Sequence, residues 1–238
     1  MKGTPVRRRP VGLVEALISA VTALALSAVP AAAAQPAPAA VVHTPIVFVH
    51  GYNADPGVWG ALRDDFKADG YTDAELFSFR YDKSESVNEV IADELESYVE
   101  DVLAETGAQQ VDLVGHSFGS LAIRWYAKFG AGQDTVKHLV SLAGPNHGTN
   151  WAWACALWDQ ACRDMTPGSY VQKNLAEGDE TPGDIAYATF WSDSDEMIDP
   201  HTSVKLDGAT NTQTASLAHN DLLSDEAVSQ GVRAFIAG

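Results

Sequence analysis

The pentapeptide Gly115-His116-Ser117-Phe118-Gly119 decides the expected fold, because it matches G-x-S-x-G between a predicted strand and a predicted helix. The short apolar run 111–114 predicts a buried strand, and the run 120–129 predicts a helix that ends before the next glycine. A sharp turn between two such elements exposes the serine hydroxyl at the edge of a sheet. We therefore predict that Ser117 is a nucleophile. The alternative is a serine without a role in a glycine-rich turn.

Apolar runs of strand length alternate with runs of helical periodicity on both sides of this motif. The predicted strands cover residues 45–49, 75–81, 111–114, 136–142, 185–191 and 210–217. The predicted helices cover residues 59–68, 87–103, 120–129 and 225–236. This alternation is typical of a parallel sheet with helices on both faces. We predict an α/β-hydrolase fold with a mostly parallel central sheet, in one compact domain over residues 45–238.

The N-terminus has the pattern of a secretory signal peptide over residues 1–34. Basic residues come first, a mostly apolar stretch follows over residues 11–29, and four alanines end at Ala34. A membrane anchor is the alternative, since the apolar stretch is long enough, but Pro30 and the alanines favour cleavage. Residues 35–44 are predicted to form an extended lead-in. We therefore expect a secreted, extracellular protein whose mature chain has no membrane span.

The composition is strongly acidic. Of the 15 Lys+Arg and 32 Asp+Glu, residues 1–34 carry four and one, so the remaining 204 residues carry 11 basic and 31 acidic side chains, a net charge of −20. Such a surface repels nucleic acid and anionic lipid headgroups, and it does not exclude a neutral ester. We expect a monomer that binds no nucleic acid.

The two cysteines, Cys155 and Cys162, lie in one irregular stretch. An even number of cysteines in an exported chain predicts a disulfide, and two free thiols are the alternative. No cysteine or histidine cluster has the spacing of a zinc site, and no loop resembles a calcium-binding one. The sequence therefore predicts no metal ion and no cofactor.

A serine nucleophile needs a histidine as base, and in this fold the chain order is serine, acid, histidine. Four histidines follow Ser117, and two of them, His138 and His147, precede the stretch 191–196 that best suits the acid. His219 follows the predicted strand 210–217 and is predicted to be the base. His201 lies in the same loop as the acids and is predicted to be a loop residue.

Position in the chain restricts the acid to three candidates and indicates which amides form the oxyanion hole. Asp193, Asp195 and Asp199 all lie in the loop after a predicted strand, and spacing does not separate them. The oxyanion hole of this fold uses the amide of the residue after the nucleophile and one from the loop after an early strand. These amides correspond to Phe118 and Tyr52.

Several stretches in order along the chain resemble the class 2 lipases, which are small secreted bacterial α/β-hydrolases. The matching stretches are residues 46–52, 114–119, 143–149, 191–198, 206–211 and 219–223, and the turn at residues 181–184 is similar to that of actinomycete members. The resemblance implies that Asp195 is the acid, beside Ser117, His219 and the amides of Tyr52 and Phe118. Residues 151–184 look longer than in the smallest members.

The resemblance implies a lipase or esterase that cleaves carboxylic esters through an acyl-enzyme, with a small-molecule or lipid ester as substrate and transient contact with a lipid interface. The alternatives are a polyester, thioester or amide hydrolase with the same triad, or a non-catalytic binding protein. Residues 151–184 are predicted to form a loop or small cap. Its tryptophans, Trp151, Trp153 and Trp158, are expected either to line an acyl-chain site or to form a small satellite core next to the disulfide.

Overall fold

The structure, a computed structural model, describes residues 43–82 and 87–238. The predicted signal peptide over residues 1–34 and the first eight residues of the lead-in over residues 35–44 lie outside the described residues. Among the residues that are described, no helix is long and apolar enough to cross a membrane.

The described residues contain one six-stranded sheet in which all neighbouring strands are parallel. Its strands are β1 (Ile46–Val49), β2 (Leu76–Phe79), β3 (Val111–His116), β4 (Val136–Leu142), β5 (Ala186–Trp191) and β6 (Thr210–Gln213). The strand order is β2-β1-β3-β4-β5-β6. The chain moves outward from β1 in one direction to β2 and in the other to β3. This reversal opens a crevice at the carboxyl ends of β1 and β3, where ligands bind in open α/β sheets.

Helices cover both faces of this sheet, so the prediction of an α/β-hydrolase fold is confirmed. They are α1 (Gly60–Ala68), α2 (Asn88–Thr106), α3 (Phe118–Phe129), α4 (Gly132–Thr135), α5 (Gln160–Met165), α6 (Tyr170–Ala176) and α7 (Glu226–Ala237). Alternate residues of β1 enter two separate cores. Val47 and Val49 pack with α2 and α3, whereas Ile46 and Phe48 pack with α1 and α7. This division follows from the two-residue period of a strand.

The last strand is shorter than the sequence indicates. The prediction of a strand over residues 210–217 is wrong beyond Gln213, where the chain leaves the sheet. There the Thr214 amide donates to the Trp191 carbonyl at 2.8 Å, and the Ser192 hydroxyl donates to the Leu217 carbonyl at 2.7 Å. Residues 214–217 form a loop because the neighbouring strand β5 ends at Trp191 and the Ser192–Leu217 contact replaces strand pairing beyond that point.

The stretch predicted as a loop or small cap, residues 151–184, contains short helices instead of irregular chain alone. A 3-10 helix covers Asn150–Ala154 and is followed by α5 and α6. These helices are too short to produce a clear apolar periodicity, so sequence patterns did not reveal them. The disulfide between Cys155 and Cys162 is present, with 5.7 Å between the two Cα atoms, and that prediction is confirmed.

The buried carboxyl of Asp164 joins this stretch to the start of α2. It accepts hydrogen bonds from the Asn88 amide at 3.0 Å and from the Gln160 side chain at 2.6 Å. Burial nevertheless raises the pKa of Asp164 from near 3.8 to about 6. Because the folded state binds this proton more tightly, Asp164 favours folding most below about pH 4, and that contribution is lost as the pH rises through about 6.

We expect Asp164→Asn to become more stable relative to the wild type as the pH rises from 4 to 7. Loss of one acceptor oxygen adds a penalty that does not depend on pH, and all other groups titrate alike in both proteins. Urea unfolding at pH 4, 5, 6 and 7 measures the difference in the free energy of unfolding. A difference that is constant over this range would contradict the prediction.

Candidate active site

The turn between β3 and α3 places Ser117 in a strained main-chain conformation. Its φ is 54° and its ψ is −128°, a region that residues other than glycine rarely adopt and that costs about 1–3 kcal/mol. The surrounding chain is close. A Cβ atom added to Gly119 would lie 2.4 Å from the carbonyl oxygens of Val49 and His50, and one added to Gly115 would lie 2.7 Å from a side chain of α3. The two glycines of the motif are therefore required by packing at the turn.

His219 and Asp195 form a buried pair near this turn. The His219 Nδ1 atom lies 3.0 Å and 2.9 Å from the two carboxylate oxygens of Asp195. The Oδ1 atom also accepts the amides of Met197 at 2.8 Å and Ile198 at 3.1 Å, which fix the carboxylate. An ionised carboxylate only accepts hydrogen bonds, so Nδ1 carries the proton and Nε2 remains free to accept another.

The other acids that the sequence left open lie elsewhere. Asp193 is exposed and accepts a hydrogen bond from the Ser216 hydroxyl at 3.1 Å. Asp199 is also exposed and accepts one from the Asn150 side chain at 3.1 Å. Among the described residues, neither of these carboxylates forms a hydrogen bond with His219. Of these three aspartates, Asp195 is therefore the one whose carboxylate contacts His219.

Two further contacts fix the main chain of His219, and no sequence pattern indicates either of them. Its amide donates to the Glu196 side chain at 3.0 Å. Its carbonyl lies 3.2 Å from the Nε2 atom of His116, the buried residue just before Ser117. Burial is the largest effect that lowers the pKa of His116, to about 3, so this ring is neutral and donates from Nε2. The base candidate is thus held through its side chain and its main chain.

The loop after β1 lies directly against the serine. A Cβ atom added to Gly51 would lie 2.9 Å from the Cβ atom of Ser117. The Tyr81 hydroxyl lies 3.1 Å from the carbonyl oxygen of His50 and 3.0 Å from that of Gly51. The His50 ring stacks on Tyr81, with 4.2 Å between the ring centroids. These contacts hold the main chain of His50 and Gly51, which leads directly to Tyr52.

The second predicted amide belongs to the first residue of α3. The first four N–H groups of a helix have no carbonyl partner within that helix, so the Phe118 amide is available to a ligand. It lies at the positive end of the helix dipole, next to Ser117. The two predicted oxyanion donors therefore come from the carboxyl ends of the neighbouring strands β1 and β3.

A cavity of about 140 Å³ connects these parts. Its lining includes Ser117, His219, Tyr52 and Trp151. The remaining lining residues are Gly51, Ala54, Val58, His116, Thr149, Met165, Glu196, Met197, Ile198, Asn220 and Leu223. Most of these come from separate loops at the carboxyl edge of the sheet, so no local motif identifies them. Within the described residues, no cluster of three or more His, Cys, Asp or Glu side chains could bind a metal ion.

The three tryptophans lie in different environments. Trp151 lines the cavity, whereas Trp153 and Trp158 point to solvent with 59% and 72% of their surface exposed. A satellite core is wrong for these two residues, because buried packing would leave them little exposed surface. They do not line the cavity either.

Ser117 and His219 line the same cavity without a hydrogen bond between their side chains in the part of the chain that the structure describes. Catalytic hydrogen bonds are often long or poorly aligned without a ligand and shorten when substrate binds.

The sequence model of the family described as Lipase (class 2) matches residues 43–234, which is most of the chain. The chain belongs to the class 2 lipase family. The match spans the Ser117 turn, the Asp195–His219 pair and all six strands of the described sheet.

Triacylglycerol lipases of three bacteria are similar in sequence over shorter stretches. The protein of Burkholderia plantarii is 30% identical over 138 residues, which are 54% of this chain and 37% of the relative. That of Pseudarthrobacter phenanthrenivorans is 29% identical over 122 residues, 48% of this chain and 36% of the relative. That of Pseudomonas fragi is 35% identical over 65 residues, 27% of this chain and 22% of the relative. The chain thus spans well under half the length of these curated relatives.

Solved structures of lipases share the fold. A mature lipase of Bacillus licheniformis superposes with a TM-score of 0.71 at 16% identity, covering 85% of this chain and 96% of that one. A monoacylglycerol lipase of Paleococcus ferrophilus superposes with a TM-score of 0.59 at 14% identity, covering 82% of this chain and 96% of that one. At these identities the likeness concerns the fold alone.

Proposed function

We propose that this protein is a secreted serine hydrolase that cleaves carboxylic esters, acylglycerols among them, through an acyl-enzyme. The observation that carries the proposal is the buried Asp195–His219 pair, because its histidine lines the same cavity as Ser117. Membership of a lipase family supports ester hydrolysis as the reaction class. The N-terminal pattern of residues 1–34 and the disulfide support secretion.

In the proposed reaction, His219 Nε2 accepts the proton of the Ser117 hydroxyl while the serine oxygen attacks the ester carbonyl. Asp195 keeps the Nδ1 proton in place and stabilises the imidazolium that forms. The amides of Tyr52 and Phe118 donate to the oxyanion. His219 then protonates the leaving alcohol, and a water molecule repeats the sequence on the acyl-enzyme to release the acid.

The exposed apolar side chains next to the cavity favour contact with an uncharged lipid-ester surface. Trp153, Leu157 and Trp158 are 59%, 89% and 72% exposed, and they share one segment with Trp151 inside the cavity. Exposed large apolar side chains that are close together on a surface favour contact with an apolar partner. The net charge of −20 on residues 35–238 disfavours anionic headgroups, so neutral acylglycerol is the surface that these side chains fit.

The test compares hydrolysis of soluble p-nitrophenyl acetate and butyrate with hydrolysis of an emulsified triglyceride. We expect turnover of all three, and we expect Trp153→Ser with Trp158→Ser to lower the rate on the emulsion at least fivefold while leaving the soluble esters within twofold. Phe129→Ser, which removes an exposed aromatic ring that does not line the cavity, is the matched control.

Equal rates for the tryptophan variant and the wild type on the emulsion would refute the interface contact. Absence of turnover on every ester would refute the proposed function and redirect attention to amide or polyester substrates, or to a binding protein.

A further inference from the structure

We propose that Asp159 is a positioning residue for the oxyanion donor Tyr52, and that it acts through the Tyr52 hydroxyl. The inference rests on the proposed function, because it concerns how that site is kept in a productive geometry. Asp159 lies more than one hundred residues after Tyr52 in the chain and does not line the cavity.

The contact is short and links two different parts of the molecule. The Tyr52 hydroxyl donates to the Oδ2 atom of Asp159 at 2.6 Å. This hydrogen bond is the largest cause of a raised Tyr52 pKa, ahead of burial. A phenol that donates to a carboxylate forms a stronger hydrogen bond than one to a neutral acceptor.

The loop that contains Tyr52 is held at the residues just before it and turns sharply just after it. Before Tyr52, the Tyr81 hydroxyl contacts the carbonyl oxygens of His50 and Gly51. Immediately after Tyr52 the chain turns sharply at Asn53, which has a φ of 54° and is exposed. The Tyr52 amide therefore lies between a supported segment and an exposed turn. The Tyr52 ring packs against the hydrophobic core, and the contact with Asp159 holds the far end of this side chain.

Asp159 is itself fixed at several atoms. Its Oδ1 atom accepts the Cys162 amide at 3.3 Å and so caps α5, and its own amide donates to the Cys155 carbonyl at 3.1 Å. The disulfide joins these two cysteines and closes a short ring around Asp159. The carboxylate is thus attached to a cross-linked segment instead of a free loop. Two residues beside this segment, Trp151 and Met165, line the cavity.

The experiment measures kcat and KM for a soluble ester in Tyr52→Phe, Asp159→Ala, Asp159→Asn and the double variant Tyr52→Phe/Asp159→Ala. A displaced oxyanion donor weakens the transition state more than the bound substrate. We expect kcat to fall about tenfold in Tyr52→Phe and in Asp159→Ala, with KM within twofold. Asp159→Asn retains an acceptor oxygen and is expected to keep most of the activity.

The double variant separates a shared contact from two independent ones. Because both substitutions remove one hydrogen bond, we expect the double variant to be no slower than the slower single variant. An inhibitor that mimics the oxyanion, such as a phenylboronic acid, should lose affinity by a similar factor, which a loss of stability alone would not produce. Asp225→Ala, which removes a helix-capping aspartate from α7, controls for the capping role. Tyr170→Phe controls for loss of an exposed tyrosine hydroxyl.

Wild-type kcat and inhibitor affinity in Tyr52→Phe and Asp159→Ala would overturn the inference and leave the proposed function standing. Losses that multiply in the double variant would also overturn it, because the two residues would then act independently. Losses in KM alone would overturn it as well, because the Tyr52 hydroxyl would then act on the substrate. A wild-type protein without ester turnover and without reaction of Ser117 with a fluorophosphonate would overturn the proposed function, and this inference with it.

Discussion

Ser117→Ala is expected to lower kcat for ester hydrolysis by about 10⁵–10⁶-fold, because the proposed acyl-enzyme forms on the Ser117 hydroxyl. The oxyanion donors and the cavity remain in this variant, so a small residual rate over water is expected to persist. The variant is also expected to fold, since the serine side chain makes no hydrogen bond among the described residues and alanine is smaller. Any change in the free energy of unfolding is expected to come from the strained main chain at residue 117, where φ is 54°.

The measurement is burst kinetics with a p-nitrophenyl ester, together with labelling by a fluorophosphonate and circular dichroism to verify folding. Ser97→Ala, on the exposed side of α2, is the matched control and is expected to retain both the burst and the label. Label that persists on folded Ser117→Ala would show that another residue is the nucleophile and would contradict the prediction.

Asp195→Asn is expected to lower kcat by about 10⁴-fold while the fold is retained. An asparagine can still accept the Met197 and Ile198 amides through its Oδ1 atom. Its NH₂ group, however, would donate to His219 Nδ1 and move the ring proton to Nε2. A ring protonated at Nε2 cannot accept the proton of the serine hydroxyl, so the attack step fails.

The matched controls are Asp193→Asn and Asp199→Asn, the two acids that the sequence alone did not separate from Asp195. Both carboxylates are exposed and contact other partners, so kcat is expected to stay within twofold of the wild type. Steady-state kinetics on one soluble ester compares all three variants. A loss in Asp193→Asn or Asp199→Asn that exceeds the loss in Asp195→Asn would assign the acid differently.

The strands and long helices could be predicted because their signals are local. The β4 strand coincides with the predicted range 136–142, and the helix predicted to end before Gly130 does so. The prediction of β6 failed at the C-terminal end of the strand, because a loop contact between Ser192 and Leu217 competes with strand pairing. Pairing depends on a neighbouring strand, which a one-dimensional pattern does not contain.

The short helices between Asn150 and Ala176 could not be predicted from the sequence, for a different reason. Each spans fewer than eight residues, and the observed stabilising features are caps, the disulfide and tertiary contacts instead of an apolar stripe. Trp151, Trp153 and Trp158 have the same residue type and lie close together, yet only Trp151 lines the cavity. Residue type reports the apolar surface of a side chain and not the direction in which a local turn points it.

The sequence by itself determined the parallel sheet, the turn at Ser117 and the chain order of the candidate serine, acid and histidine, because each depends on residues that are adjacent or on the sequence of strands. Only the tertiary structure decided which of three nearby aspartates contacts His219, which loops line the cavity, and that the Tyr52 hydroxyl contacts Asp159. These are contacts between residues roughly 20 to 110 positions apart. They exist because the parallel sheet gathers the carboxyl ends of separate strands at one edge, and the distance between side chains there depends on loop conformations that chain order does not specify.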